Sequence, residues 1–387
     1  MNWEPMNNTS PLQKHRIIIL FGSLDMGGAE RQGLLLARHL KEQEGADLQV
    51  WGLGNRRGTV AEQCNRLHIP WRSIWLHWGI RRRFAHLLRL ALALRQAQPD
   101  ILLAYTKVPN LAAALLWRLC KVKLCVWNQA DAGLLLEPTL LHRFAVSQVQ
   151  RFIANADEGR CFLLDRYGLP EPAVRLIRNG VSLAPPLADR ATWRRQLQAG
   201  EQTVIAVMVA NLSRYKDHAT LLAAWKLLLE RHGSEPPPLL VLAGRFDDQT
   251  EALQHRVREL RIAATVRFTG MVDDVSGLLA AADLCVHSSR SEGIPNAVLE
   301  AMTSALPVVG SAIPGLREAV GDEGHAFLSP PGDAAALAKL LAQMMADPEL
   351  RRRQGTLMQQ RAEALFGAER MCLDTADYLA AALGEQS

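Results

Sequence analysis

Short, continuously apolar segments alternate with helical patterns along this chain, and the alternation restarts at mid-chain. In the first half the predicted strands are Ile17–Phe21, Leu48–Trp51, Ile74–Leu76, Ile101–Tyr105, Leu124–Trp127, Phe152–Ala154 and Val174–Ile177. In the second half they are Val204–Ala210, Leu239–Ala243, Val266–Phe268, Leu284–His287, Pro307–Gly310 and Ala326–Leu328. Apolar strands joined by helices of about ten residues or more are typical of parallel sheets covered on both faces. The pattern predicts an α/β protein with two doubly wound, Rossmann-like domains.

The chain length of 387 residues exceeds one ordinary hydrophobic core and agrees with two domains. The boundary is expected within Ser182–Gln202, which carries two prolines and then a polar helical piece. The expected N-terminal domain is 1–185, and the expected C-terminal domain is 186–365. The helical pattern in 366–387 follows the second domain and is expected to pack back onto the first.

Charge and cysteine usage limit the classes of partner and compartment. The net charge is +5 and the pI about 9.0, which favours anionic partners such as nucleotide-sugars, acidic lipid headgroups or nucleic acid. The six cysteines form no C-x-x-C pair and have no histidine at zinc spacing, which indicates thiols in a reducing compartment, several of them buried. The chain start lacks a signal-peptide pattern, and no apolar run reaches about 18 residues. A cytoplasmic protein is expected, with peripheral contact at the inner face of the cytoplasmic membrane left open.

Two carboxylates eight residues apart bracket the start of a helix in Ser291–Glu300. The segment directly follows the predicted strand Leu284–His287, where ligands bind in doubly wound folds. Glu292 falls on the loop, and Glu300 falls about one turn into a helix expected to start near Pro295, because proline suits the first helical position. Free N–H groups at a helix N-terminus attract phosphate, whereas carboxylates accept hydrogen bonds from hydroxyls. The combination suits a nucleotide-sugar.

Two further loops follow predicted strands, and each also has an ordinary explanation as a turn. Gly22–Arg31 places Gly27 and Gly28 before a helix, where glycine permits close backbone approach or a positive φ. Phe268–Val275 contains a glycine that would let backbone groups approach a flat base edge. Its alternative is a plain βα turn, capped by either of its two aspartates.

The loop Asn211–Asp217 brings two cations next to a helix N-terminus. Asp217 can cap the helix that follows. Arg214 and Lys216 precede that helix, where the dipole disfavours cations. Cations at this position make sense if an anion lies between them and the helix. A solvated loop is the alternative, but the position after a strand favours an anion site.

Several motifs are absent from the sequence, and their absence excludes classes of function. No Asp-x-Asp occurs, so there is no obvious carboxylate site for a Mg²⁺ that would bridge a diphosphate. No metal and no cofactor are predicted. Cationic side chains would then have to supply the charge that a metal would supply. The chain has no G-x-x-x-x-G-K-[ST] of P-loop NTPases and no G-x-S-x-G of hydrolases. Nucleic acid is not a predicted partner, because the arginine clusters lack the aromatic platform of a known module.

A basic, tryptophan-containing stretch stands apart from these loops. It begins with Trp71, Trp75 and Trp78 and continues through Arg81–Arg83 into a helical pattern, Phe84–Leu94. Tryptophan with clustered arginine suits a membrane interface. The slightly favoured alternative is a helix with buried aromatic residues and a solvated polar face.

Together these segments resemble the retaining GT-B glycosyltransferases of the group 1 family over nearly the whole chain. The most specific stretch runs from Asp283 to Gly315 and holds the E-x7-E pair, Glu300-Ala301-Met302, Pro307-Val308-Val309 and Pro314-Gly315. Weaker matches are Gly27-Gly28-Ala29-Glu30, Arg178-Asn179-Gly180-Val181 and the Lys216 loop. The resemblance implies two Rossmann-like domains that face a central cleft. It implies that the first binds the acceptor and the second the nucleotide-sugar.

The resemblance also implies a donor site. Glu300 would bind the ribose hydroxyls, and Glu292 would contact the donor sugar. Lys216 would neutralise the leaving diphosphate, and Arg214 would stand in for an arginine that the family often has at the position of Asn211. Further donor contacts are implied for Gly27, Gly28, Asn211, Gly270, Val272, Gly293, Ile294, Pro295 and Asn296.

Many relatives place a histidine on the loop after a mid-domain strand. Here that loop is Tyr105-Thr106-Lys107-Val108-Pro109-Asn110, which contains no histidine. Lys107 and Asn110 are the candidate acceptor contacts, and the role of the family's histidine has no assigned residue.

The predicted function is metal-independent, retaining transfer of a sugar from a nucleotide-sugar, a UDP-sugar by default, to a hydroxyl of a glycan or lipid-linked acceptor in polysaccharide or glycoconjugate biosynthesis. In this family the diphosphate oxygen is often taken to accept the acceptor's proton, which fits the lack of an obvious protein base. Domain closure about the linker is expected to complete the site. A nucleotide-sugar epimerase and a catalytically silent nucleotide-sugar-binding subunit of the same fold stay open as alternatives.

Overall fold

A computed structural model describes residues 10–54, 57–75, 83–130, 139–231 and 236–385. It divides the chain into two compact units. Unit 1 comprises Met1–Gly180 with Ala368–Ser387, and unit 2 comprises Val181–Gly367. The sequence-based boundaries at 185/186 and 365/366 fall within a few residues of these limits. Which unit binds which substrate stays a prediction.

Unit 1 is built on a seven-stranded parallel sheet of order β3-β2-β1-β4-β5-β6-β7. Its strands are β1 (Arg16–Phe21), β2 (Asp47–Gly52), β3 (Trp71–Ser73), β4 (Ile101–Tyr105), β5 (Leu124–Gln129), β6 (Arg151–Ala154) and β7 (Val174–Leu176). Its helices are α1 (Gly28–Glu42), α2 (Thr59–Arg66), α3 (Arg83–Ala97), α4 (Lys107–Leu116), α5 (Leu140–Gln148), α6 (Asp157–Tyr167) and, later in the chain, α15 (Ala368–Gly384).

Unit 2 repeats this architecture with a six-stranded parallel sheet of order β10-β9-β8-β11-β12-β13. Its strands are β8 (Ile205–Val209), β9 (Leu239–Ala243), β10 (Val266–Gly270), β11 (Leu284–His287), β12 (Val308–Ser311) and β13 (Leu328–Ser329). Its helices are α7 (Arg190–Gln196), α8 (His218–Arg231), α9 (Thr250–Glu259), α10 (Val275–Ala281), α11 (Asn296–Thr303), α12 (Pro314–His325), α13 (Ala334–Ala346) and α14 (Pro348–Leu365). The predicted pair of doubly wound domains is confirmed.

The strands are continuously apolar because helices cover both faces of each sheet. In β1, Ile18 and Leu20 belong to one core cluster, while Ile17 and Ile19 belong to the cluster on the opposite face. Successive strand residues point to opposite faces, so both sets must be apolar. Five of the six cysteines are buried in these cores, and Cys161 is exposed.

Two strands lie elsewhere than the sequence predicted: β13 spans Leu328–Ser329 and shares only Leu328 with the predicted Ala326–Leu328, and β3 shares none of the described residues of its predicted range. The predicted Ile74–Leu76 is wrong: β3 spans Trp71–Ser73 and pairs with β2 through Val50 and Trp71. β3 is the edge strand of its sheet and its residues are partly exposed, so it lacks the apolar run that marks an inner strand. Leu76 lies outside the described residues.

The last helix, α15, belongs to unit 1. It packs against α1 and adds Met371, Cys372 and Leu379 to the core that contains Ile17 and Ile19. The predicted return of the C-terminal segment to the first domain is therefore confirmed. Among the described residues, no helix combines the length and the apolar character that crossing a bilayer requires.

The two points where the chain passes between the units lie side by side. In unit 1 the side chain of Gln32 bonds both the N–H and the carbonyl of Gly180, at 2.8 and 2.9 Å. A Cβ at Gly180 would come within 2.6 Å of Ala368 Cα, so this close approach requires glycine. In unit 2 Val181 forms a parallel bridge with Gly367.

The linker helix α7 is anchored to unit 2 through a buried arginine. Arg194 donates to the carbonyls of Gly200 at 2.7 Å and Ala281 at 2.9 Å, and to the Asp283 carboxylate at 3.3 Å. It also bonds the carbonyls of Glu201 and Thr203. Asp283 in turn accepts from Arg190 and from the N–H of Ile205, the first residue of β8. The Arg194–Asp283 ion pair therefore connects α7 to the starts of the central strands β8 and β11.

Candidate active site

Loops that carry polar side chains meet at the carboxyl edge of the unit 2 sheet. Residues 211–217 follow β8, residues 244–249 follow β9 and residues 288–295 follow β11. The side chain of Asn211 accepts a hydrogen bond from the N–H of Arg245 at 3.2 Å, which joins the first two loops. The strand order reverses between β8 and β11, and ligands of open α/β sheets bind at such a switch point.

Lys216 and Glu292, which the sequence predicted to act on one donor, are joined by an ion pair. The accepting oxygen is Glu292 Oε1, and His287 Nε2 lies 2.9 Å from the same atom. Burial opposes ionisation of Glu292, but the hydrogen bond from His287 and the charge of Lys216 outweigh it and lower its pKa to about 2. The carboxylate is therefore ionised at neutral pH, with one cation and one imidazole beside it.

Two buried serines, which sequence reasoning missed, hold the two loops together. Ser288 Oγ donates to the carbonyl of Asp217 at 3.1 Å, and Ser289 Oγ donates to the carbonyl of Tyr215 at 2.9 Å. The N–H of Arg290 donates to the same Tyr215 carbonyl at 3.1 Å. The signal was a pair of hydroxyl residues directly after a buried strand, where each must find a partner. These bonds set the Lys216 turn against the Glu292 loop.

Gly315 explains the predicted Pro314-Gly315 motif. A Cβ at Gly315 would lie 2.0 Å from the carbonyl oxygen of Gly293 and 2.8 Å from that of Glu292. Only glycine allows the start of α12 to touch this backbone. The start of α12 therefore packs directly against the backbone of the Glu292 loop.

The helix that carries Glu300 starts one residue later than expected. Pro295 is the N-cap, with φ −74° and ψ 117°, and Asn296 is the first helical residue of α11. The prediction that proline occupies the first helical position is wrong, because the loop still runs in an extended conformation at Pro295. Glu300 lies about one turn into α11 as predicted and is buried. Its ribose contact stays a prediction.

Arg214 does not join the Lys216–Glu292 pair. Its guanidinium lies 5.1 Å from the centre of the Tyr215 ring and bonds the Tyr215 hydroxyl at 3.1 Å. It lines a pocket of about 400 Å³ together with Tyr215, Asp217, His218, Gln249 and Arg290. The predicted contact of Arg214 with a diphosphate stays a prediction.

Asp217 lies at the start of α8, as predicted, but its side chain has other partners than a backbone N–H. Oδ2 accepts from the Thr220 hydroxyl at 2.9 Å, and Oδ1 lies 3.6 Å from Arg290. Its backbone has φ +43°, and its carbonyl accepts the first N–H bonds of the helix. The turn therefore leads directly into α8.

His218, the first residue of α8, is a second histidine that sequence reasoning missed. It is only 2% exposed, and neither ring nitrogen has a hydrogen-bond partner among the residues that the structure describes. Burial, the nearby His287 and the charge of Lys216 lower its pKa to about 4. Its imidazole is therefore neutral at physiological pH.

His218 should make the stability of the chain depend on pH. Its pKa is about 4 when folded against an ordinary 6.5, so the unfolded chain binds the extra proton between these values. The free energy of unfolding should fall by about 3 kcal/mol as the pH drops from 6.5 to 4. Urea titrations across this range should show a flatter pH profile for His218→Leu. The exposed His255 is the control: His255→Leu should keep the wild-type slope, and equal slopes in both variants would contradict the assignment.

The predicted base-reading loop follows β10. Gly270 has φ +71°, and the half-exposed ring of Phe246 lies 3.7 Å from where its Cβ would be. Val272 follows the exposed Met271. Of the two predicted caps, Asp274 caps α10 by accepting from the N–H of Gly277 at 3.0 Å. Contacts of Gly270 and Val272 with a base stay predictions, and Phe246 is a neighbouring aromatic residue that sequence reasoning missed.

Unit 1 carries the remaining predicted residues. Gly27 is the N-cap of α1 with φ −130° and Gly28 its first residue, so Gly27 does not use the positive φ that the sequence left open.

The predicted loop Tyr105–Asn110 is wrong beyond Thr106, because α4 starts at Lys107. Asn110 is buried, and its amide donates to the Asn128 carbonyl at 2.8 Å. Acceptor contacts of Lys107 and Asn110 stay predictions.

The basic, tryptophan-containing stretch is described only in part. Trp78, Arg81 and Arg82 lie outside the described residues. Trp71 is partly buried in β3, whereas Trp75 is exposed. Within the described part of the chain, no cluster of three or more His, Cys, Asp or Glu residues could hold a metal ion.

Two family models match the chain. One, described as glycosyl transferases group 1, matches residues 189–361, and the other, glycosyltransferase family 4, matches residues 26–184. A D-inositol 3-phosphate glycosyltransferase of Streptomyces avermitilis is 29% identical over 62% of this chain and 53% of its own length. The lipopolysaccharide core biosynthesis glycosyltransferase LpsE of Rhizobium meliloti is 28% identical over 50% of this chain and 62% of its own length. The chain spans about half the length of the first of these curated relatives.

Solved structures share the fold over nearly the whole chain. Anabaena HepE, whose structure contains UDP and glucose, has a TM-score of 0.82 at 20% identity and covers 95% of this chain and 100% of its own. WaaG, a glycosyltransferase involved in lipopolysaccharide biosynthesis, has a TM-score of 0.71 at 18% identity, over 94% of this chain and 99% of its own. At these identities the likeness concerns the fold.

Proposed function

The chain belongs to the group 1 glycosyltransferases and has their GT-B fold, and from this we propose that it moves a sugar from a nucleotide-sugar to an acceptor hydroxyl. The observation that carries the proposal is the Lys216–Glu292 pair. It brings a cation and a hydroxyl acceptor together at the switch point of the unit 2 sheet. A donor needs both, because it carries a diphosphate and a sugar.

In the proposed reaction Lys216 stabilises the diphosphate as the bond to the sugar breaks. Charge placed where negative charge develops is usually the largest single contribution to catalysis. Glu292 has a pKa of about 2, so it holds no proton at neutral pH and acts as a hydrogen-bond acceptor rather than a general acid. The acceptor oxygen bonds to the anomeric carbon on the face that the diphosphate leaves, which gives retention of configuration, and the acceptor's proton passes to a leaving diphosphate oxygen. Lys216 supplies charge that a metal supplies elsewhere, and we propose a metal-independent reaction.

We further propose a UDP-sugar as donor and a glycan or lipid-linked hydroxyl as acceptor. The support is the nature of the relatives: HepE was solved with UDP and glucose, and LpsE and WaaG are named for lipopolysaccharide synthesis. Glu300 on α11 takes the ribose hydroxyls. The loop of Gly270 and Val272 takes the base.

The test is nucleotide release from a panel of UDP-, GDP- and ADP-sugars, with and without chelator, and with lipid or glycan extract as acceptor. Acceptor-dependent release from one donor, unchanged by chelator, is the expected result. Release of nucleotide with a changed free sugar, without acceptor, would instead identify an epimerase. Tight nucleotide binding without release from any donor would contradict the transferase and favour a silent binding subunit.

A lipid-linked acceptor would require contact with a membrane, and helix α3 has a suitable face. Phe84, Leu88 and Leu92 follow each other at intervals of four residues and are 80%, 51% and 51% exposed. Residues at this spacing share one side of a helix, and an exposed apolar stripe of this kind marks an interaction surface. The exposed Arg89 lies on the same helix. We propose that this face binds an anionic bilayer surface.

Co-sedimentation with vesicles of phosphatidylglycerol and phosphatidylcholine tests the membrane proposal. Replacing both Phe84 and Leu88 by serine should weaken vesicle binding about a hundredfold or more, because burial of each apolar side chain contributes roughly 1.5–3 kcal/mol and about 1.4 kcal/mol is a factor of ten. Leu373→Ser, which changes an exposed leucine on α15, is the matched control and should bind as wild type does. Equal binding of the double variant and the wild type would refute the surface.

A further inference from the structure

The two donors that hold Glu292 differ in their freedom to move. His287 is the last residue of β11 and is 1% exposed, so the sheet fixes its position. Lys216 lies in a short turn before α8, and its ammonium ends a flexible four-carbon stem. Both bind Oε1, and within the described residues Oε2 has no hydrogen-bond partner. His287 is therefore a fixed partner of Glu292, whereas Lys216 can move away. Oε2 of Glu292 is available to a ligand.

The direction of the His287 bond follows from the charge of Glu292. An ionised carboxylate only accepts hydrogen bonds, so His287 must carry its proton on Nε2 and donate it. This bond does not depend on Lys216. It can therefore persist when the lysine is engaged elsewhere.

The proposed reaction requires Lys216 to turn from Glu292 to the diphosphate. Without another donor, its departure would leave a largely buried carboxylate unpaired, which is costly and would let the side chain rotate. His287 is positioned to prevent both effects. A carboxylate fixed through one oxygen presents the other in a constant direction.

We propose that His287 is a positioning residue that holds Glu292 by Oε1 while Lys216 binds the donor's diphosphate, so that Oε2 accepts a hydrogen bond from a hydroxyl of the donor sugar. The role rests on the proposed transferase function and deepens it. It assigns recognition of the sugar to Glu292 and His287 together, and recognition of the diphosphate to Lys216.

The test compares His287→Leu, which fills the space without a donor, with His287→Gln, whose Nε2 can still donate. Isothermal titration gives the dissociation constants of the nucleotide-sugar selected by the donor panel and of its parent nucleoside diphosphate. If no donor is turned over, UDP-glucose and UDP are used as the two ligands in the titration. Steady-state kinetics gives kcat and the KM for the donor. His255→Leu, at an exposed histidine, is the control.

In His287→Leu the nucleotide-sugar should bind about tenfold or more weakly, the range of a lost hydrogen bond to a charged group. Nucleoside diphosphate affinity should stay at the wild-type value. The donor KM should rise with the dissociation constant, and His287→Gln should recover most of the loss. A merely structural role would weaken both ligands together and would not be rescued by glutamine. If the leucine variant does not fold, His287→Asn, whose shorter amide stops short of Oε1, takes its place.

The outcomes separate this role from the transferase itself. A wild type that transfers no sugar but shows the selective loss in His287→Leu refutes the reaction and keeps the positioning role. A wild type that transfers sugar while His287→Leu keeps the wild-type ratio of the two affinities refutes the positioning role alone. A wild type that binds no nucleotide-sugar overturns both.

Discussion

Replacing Lys216 by alanine is expected to lower turnover about 10²–10³-fold, the range seen when one preorganised donor to a developing negative charge is removed. The variant should fold as the wild type does, because Glu292 keeps its bond from His287 and Lys216 is partly exposed. The loss should fall more on kcat than on the KM for the donor, since Lys216 already binds the diphosphate in the ground state but meets its additional negative charge only as the bond to the sugar breaks. The loss is measured from initial rates with the nucleotide-sugar that the wild type turns over in the donor panel.

The control for that experiment is Lys226→Ala. Lys226 forms an exposed ion pair with Glu230 on α8, and surface pairs of this kind contribute little. Its turnover should match the wild type. Near-wild-type turnover of Lys216→Ala would rule out the leaving-group role. Lys216→Arg should recover part of the rate, because the charge remains but its geometry changes.

Replacing Arg194 by alanine is expected to lower the free energy of unfolding by about 3–5 kcal/mol, as for other buried charge pairs that lose one partner. The change removes the buried cation beside Asp283. It also removes the hydrogen bonds that Arg194 donates to the carbonyls of Gly200, Ala281 and Thr203. Urea titration gives the free energy. Amide hydrogen exchange should become faster at β8 and β11 and stay unchanged at β1 and β4 of unit 1, because the loss is confined to unit 2.

Arg195→Ala is the matched control on the same helix. Arg195 is exposed, and within the described residues its side chain bonds only the Thr192 hydroxyl, at 3.0 Å. Its removal should change the free energy of unfolding by no more than about 0.5 kcal/mol. Similar effects of both substitutions would mean that α7 is not anchored through Arg194.

The fold was predictable because parallel strands buried on both faces leave a strong pattern. Ile101–Tyr105, Leu239–Ala243 and Leu284–His287 were predicted to the residue, and all three are inner strands. The edge strand β3 was misplaced, since half-exposed strands mix polar and apolar residues. Helix starts were less accurate at Pro295 and Lys107, where the conformation of the preceding loop decides the first helical residue.

Part of the site could be predicted and part could not. Lys216 and Glu292 were predicted to contact one donor because their loops follow strands and because the chain resembles the group 1 family, and the two side chains are in contact. His287, Ser288 and Ser289 were not, because a histidine or serine at a strand end has many possible partners and only the packed structure selects one. His218 has no local signal at all: its neutrality follows from burial next to two other basic groups.

The place of α15 in unit 1 has a consequence for biosynthesis. A ribosome makes all of unit 2 before α15, so the core around Met371 and Leu379 cannot close until unit 2 has been translated. Unit 2, a single contiguous segment, can fold first, which reverses the usual N-terminal-first order. A nascent chain stalled between α14 and α15 would carry a complete unit 2 and an apolar face of unit 1 that is still uncovered. Such a chain would be a substrate for chaperones and proteases.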